Sequence, residues 1–156
     1  MKVYRFLLSP VVLSLALTGW TAWWASTPVR AADNWNTLSV PIDGTVAGSP
    51  ESVRFFGQAT VESKISPDPD FNRPTLVLTI DLSRVRGVGS FTRARYVITG
   101  PEQLNRSVSV SHFLEFSFPF TKSGGDLSTA RAGTASFALT VDPTTGAVSS
   151  ATASVR

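Results

Sequence analysis

Apolar residues recur at every second position through most of this chain, and no stretch holds the spacing of a helix face over three turns. Alternation sends successive side chains to opposite sides of the backbone, so each such run reads as a strand with one face in a core. Thr75–Ser83 is the clearest case, with Leu76, Leu78, Ile80 and Leu82 on one side and Val77, Thr79 and Asp81 on the other. Thr92–Thr99 sends Ala94, Tyr96 and Ile98 inward and Arg93, Arg95 and Val97 outward. Ser107–Phe120 places Val108, Val110, Leu114, Phe116, Phe118 and Phe120 on one face. Leu38–Ile42, Val53–Ile65, Thr134–Val141 and Ala147–Val155 complete the set.

Turn chemistry separates these runs. Asp142-Pro143-Thr144-Thr145-Gly146 joins two of them, with Pro fixing φ in the bend and Gly taking a left-handed position. Gly48-Ser49-Pro50, Gly87-Val88-Gly89 and Ser123-Gly124-Gly125-Asp126 mark other junctions. The pattern predicts an all-β fold, a single antiparallel β-sandwich of about seven strands, with a small closed β-barrel as the alternative. Matching parity across the Gly87 loop predicts that Thr75–Ser83 pairs with Thr92–Thr99, setting Ile80 beside Ala94 and Asp81 opposite Arg93.

The first 31 residues stand apart. Lys2 and Arg5 precede an apolar run from Phe6 to about Ala25, and Val29-Arg30-Ala31 offers small residues before a cut at Ala32. This is the layout of a cleaved signal peptide over 1–31. Its alternative is an uncleaved N-terminal membrane anchor, favoured by the length of the run and by Trp20, Trp23 and Trp24 at its far end. Residues 32–37 read as a flexible lead-in pinned by Trp35, and 38–156 as the sandwich domain. The chain has no cysteine, which in an exported protein points to a bacterial periplasmic or secreted one.

Charge narrows the partners. The chain carries 14 basic against 11 acidic residues, a net +3, but Lys2, Arg5 and Arg30 lie in the leader. The domain after Ala31 therefore holds 11 basic and 11 acidic groups. A neutral domain has no overall field to gather nucleic acid, so nucleic acid is excluded as a partner, and a membrane enters only if the leader is retained.

Few residues can carry chemistry. With His112 alone and no cysteine, thiol catalysis, zinc clusters and thiol redox chemistry are closed. His112 reads as a hydrogen-bonded core or sheet-edge side chain, or as one turned outward by a bulge that brings Phe113 in. No Gly-x-Ser-x-Gly elbow accompanies it. Asp68, Asp70 and Asn72 alternate oxygen ligands on a loop, a weak calcium candidate because Arg73 stands where the EF-hand glycine belongs and Thr79 where its glutamate does. Arg84, Arg86, Arg93 and Arg95, with Arg106 on a neighbouring turn, form an anion-binding candidate, since forked guanidiniums match phosphate and carboxylate. The phenylalanines Phe55, Phe56, Phe113, Phe116, Phe118, Phe120 and Phe137 read first as core, or as the lining of an apolar cavity if a barrel closes around them.

The expectation is an exported, non-catalytic binding or assembly domain with no cofactor. Its partner would be an envelope component or a protein joined by strand addition along Phe113–Phe120. A carrier barrel for an apolar ligand, and a hydrolase using His112, are the two alternatives.

Overall fold

A computed structural model describes residues 34–68, 70 and 73–156. The predicted signal peptide over 1–31, and the cut expected at Ala32, lie outside the described residues. Among the described residues nine strands form in chain order: β1 Asn36–Val46, β2 Val53–Pro67, β3 Pro74–Asp81, β4 Val85–Gly89, β5 Arg95–Ile98, β6 Glu102–Ser107, β7 Ser111–Lys122, β8 Arg131–Val141 and β9 Val148–Val155. The other regular element described is a single 3-10 turn, Leu127–Thr129, started by Asp126, whose carboxylate accepts the Ser128 N–H.

The fold is all-β, as alternation requires. All pairings but one are antiparallel, and they form one sheet in the order β1-β9-β8-β7-β5-β4-β2-β3-β6. An added β1–β2 pairing closes seven of these strands into a ring of hydrogen bonds, from which β3 and β6 extend. The ring includes one parallel contact, Ile42–Gly44 of β1 beside Ala153–Val155 of β9. Gly44 permits that contact: a Cβ there would run into the backbone carbonyl of Val155. Sandwich and barrel are therefore two views of one closed sheet, pressed on one core.

β2 organises the ring because its 15 residues serve two neighbours on one edge. Val53–Gly57 pair with β4, and Thr60–Pro67 pair with β3. This overturns the expected register. β3 pairs with β2 and β6, while β5 pairs with β4 and β7, so Asp81 never faces Arg93. The Asp81 carboxylate instead accepts both the N–H and the hydroxyl of Ser83, closing the turn into β4. The strand count exceeds seven because Gly87-Val88-Gly89 is strand rather than loop, and because Glu102–Ser107 pairs along β3.

The predicted inward faces are largely in place. Leu76, Leu78, Ile80, Leu82, Tyr96 and Ile98 are buried, and so are Leu114, Phe118 and Phe120. The core is filled ring against ring: Phe55 meets Phe118 and Phe120 edge-on at 5.5 and 5.0 Å, and Tyr96 meets Phe120 at 5.9 Å. Three expected core residues lie outside. Phe113 is 70% exposed and Phe56 45%, because strict alternation continues through β7 and β2 with no bulge to invert it. Val110 is 54% exposed because it falls in the connection between β6 and β7, before the strand begins. The predicted hairpin at Asp142–Gly146 forms, with the Asp142 carboxylate accepting the Thr144 N–H and Gly146 at φ 74°. β1 begins at Asn36, so the lead-in joins the sheet two residues before Leu38, and Lys64 Nζ sits 4.3 Å above the Trp35 ring.

Candidate functional site

Pairing divides the four arginines. On the outer face, Arg86 of β4 stands opposite Val97 of β5 and opposite Phe56 of β2. One step along, Val88 stands between Arg54 of β2 and Arg95 of β5. Arg86 and Arg95 are thus diagonal neighbours, with Cα atoms about 7–8 Å apart, close enough for both guanidiniums to reach one acidic group. Both line a hollow of about 560 Å³ whose walls include Phe56, Val88 and Val97. Arg84 lies in the exposed β3–β4 turn and Arg93 in the exposed β4–β5 hairpin, where it takes a left-handed φ of 58°. Neither lines the hollow. Arg106 sits on the exposed β6, away from them.

Among the described residues, no carboxylate forms an ion pair with Arg54, Arg86 or Arg95. The outer-face acid in their rows is Asp43 of β1, opposite Phe56 and so two strand spacings, roughly 10 Å, from Arg86. The patch is therefore a local concentration of positive charge on a neutral domain, with apolar side chains set between the cations.

A residue without any sequence signature holds this patch in shape. Glu51, 8% exposed in the β1–β2 connection, aims its carboxylate at the β4–β5 hairpin. It accepts the Thr92 hydroxyl, the Thr92 N–H at 2.8 Å, the Phe91 N–H at 2.9 Å and the Tyr96 hydroxyl at 3.1 Å. These bonds, those of Thr92 foremost, hold its carboxyl at about 2. Burial first, then the hydrogen bond to Glu51 and its charge, pushes the Tyr96 phenol up. Gly89 makes room, since a Cβ there would collide with the Glu51 carboxylate. Arg131 completes the anchor by donating to the Glu51 carbonyl at 2.8 Å while its guanidinium rests 5.1 Å from the Phe120 ring centre. A carboxylate that stays ionised well into acid and is tied to four donors is a clamp on the hairpin, and a poor proton shuttle. No local signal marks it, because its partners lie about forty positions away.

The remaining candidates are scattered. His112 stays on the inner side of β7 at its start, half-buried, with Nε2 3.0 Å from the Ser109 carbonyl oxygen. Among the described residues, no three His, Asp or Glu side chains cluster as metal ligands would. Asp68 accepts the Asp70 N–H at 2.8 Å, and its own N–H donates to the Arg73 carbonyl, so both its carboxylate and its amide are engaged in local bonds. Asn72 lies outside the described residues. β7 is not a free edge for strand addition along its whole length, since β8 covers one side and β5 takes Phe120–Lys122 on the other. No protein-family model, curated protein or solved structure matches this chain.

Proposed function

We propose that this is an exported, non-catalytic binding domain of the periplasm or the secreted space, holding an anionic partner on the outer face of β2, β4 and β5. The observation that carries the reading is the convergence of Arg86 and Arg95 on one hollow with no described acid paired to them. Two guanidiniums on adjacent strands offer a fork that suits phosphate or carboxylate, and strand backbone holds them apart at a fixed spacing. The Glu51 clamp supports the same reading, since it fixes the hairpin from which β4 and β5 spring. The ring-packed phenylalanines weigh against an internal carrier cavity, and the His112 bond to a backbone carbonyl weighs against a general base.

Export is tested by the intact mass of protein taken from its host's periplasm or medium, which should correspond to a chain starting at Ala32. Binding is tested by recording the Arg86 and Arg95 Nε–H resonances while adding small phosphates and carboxylates. Both signals should move together, and Arg86→Gln or Arg95→Gln should abolish the response of the other. Resonances that stay still at millimolar ligand would refute the anion site.

A further inference from the structure

We infer that the hollow on β2, β4 and β5 takes a single anionic amphiphile, an acidic head group carrying an apolar body. The inference rests on the anion-binding reading above and narrows it. Phe56 and Val97 flank Arg86 directly, on the strands to either side, and Val88 sits between Arg54 and Arg95. Cation and hydrocarbon therefore alternate in both directions across the sheet. Phe56 is 45% exposed and Val97 44%, although each belongs to a strand whose other face is well packed. A bare inorganic anion between the guanidiniums leaves both side chains in water. An amphiphile pairs its head with Arg86 and Arg95 and covers Phe56 and Val97 with its body, so one ligand satisfies both kinds of surface.

Size and shape separate this ligand from larger anions. About 560 Å³ falls in the range of small-molecule sites. The walls include turn residues at two places, Ser83 between β3 and β4 and Ser123 after β7. A recess in a sheet face admits one molecule, while a flat bilayer rests on its rim and leaves the recess empty. Charge complementarity places the head: the nearest outer-face acid of these rows, Asp43, lies beyond Phe56, so the acidic head is driven to the Arg86–Arg95 side, away from that acid.

The test is a calorimetric titration of the protein starting at Ala32 with inorganic phosphate, butyl phosphate, octyl phosphate and octyl glucoside, all as monomers, and with phosphatidylglycerol vesicles. Affinity should rise from inorganic to octyl phosphate, by up to about fourfold for each methylene that the hollow buries. Octyl glucoside should bind at least tenfold more weakly than octyl phosphate. Phe56→Ala should flatten the chain-length dependence while leaving inorganic phosphate binding unchanged. Arg86→Gln should weaken every phosphate, and both positions are surface sites whose substitution leaves the core intact. Equal affinity for inorganic and octyl phosphate overturns the amphiphile while the anion site stands. Binding to vesicles with none to monomeric octyl phosphate also overturns it, in favour of a membrane surface. Equal binding of octyl glucoside and octyl phosphate, or no binding of any ligand, removes the anion site as well.

Discussion

Whether the phenylalanines fill a core or line a cavity can be settled by truncating one of them, and Phe55→Ala is the sharpest choice. Phe55 is fully buried on β2, and its ring is held edge-on by Phe118 and Phe120. Removing a ring from a filled site forfeits its transfer free energy and leaves a void that neighbours close only in part, a cost of about 3–5 kcal/mol. Each lost edge-on pair accounts for about 0.5–1.5 kcal/mol of such a sum. Set against a typical net stability of about 5–15 kcal/mol, the variant should lose about a fifth of its margin or more. At about 4 °C per kcal/mol for a domain of this size, melting should fall by about 12–20 °C. Urea unfolding monitored by far-UV circular dichroism gives the free energy, and an unchanged slope against denaturant shows that the same fold is being compared. Phe113→Ala is the control: that ring is 70% exposed, so the change should stay within about 0.5 kcal/mol. A Phe55→Ala loss below about 1 kcal/mol, far under the usual cost of emptying a filled site, would mean that the ring borders empty or ligand-filled space, and the filled-core reasoning would fail.

The same contacts set three further outcomes. Glu51 is held at about 2 against an ordinary 4.5, so its contribution to stability is complete above about 4.5 and drains away as pH falls toward 2; acid titration of stability should be flatter in that window for Glu51→Gln, and equal slopes would show that the clamp is not formed. Gly89→Ala pushes a Cβ into the Glu51 carboxylate, so amide exchange at Phe91 and Thr92 should accelerate, as in Glu51→Gln; unchanged protection would place the carboxylate elsewhere. The Ser63 hydroxyl is buried without a hydrogen-bond partner among the described residues. Ser63→Ala should therefore stabilise by about 1 kcal/mol in urea, and a loss of that size would reveal a partner.

The arginine site is half-legible in the sequence. Crowding into twelve positions marks the region, and strand parity puts Arg93 and Arg95 on the outer face. Parity cannot supply the neighbour. Gly87-Val88-Gly89 carries a turn signature, which sets Arg86 in a loop, yet both glycines are strand residues. They are small because Phe55, Tyr96 and Val53 crowd Gly87, and the Glu51 carboxylate crowds Gly89. A glycine required by a distant side chain is indistinguishable in sequence from one required by a turn. β6 leaves little trace for another reason: as an edge strand with a polar face it needs few apolar residues, and Leu104 is the one large aliphatic in it.

By itself, the sequence determined what is local. The two-residue period made the chain all-β and chose which side chains face the core, because that choice depends only on successive positions along one strand. It also set the turn at Asp142–Gly146, whose hydrogen bonds span a few residues. Tertiary structure alone decided which strands pair, that the ring's parallel contact falls at Gly44, that Arg86 and Arg95 share a hollow, and that Glu51 reaches Thr92. Each of these depends on groups brought together from different strands. The free energy that selects among such pairings belongs to the shared core and is written in no single segment.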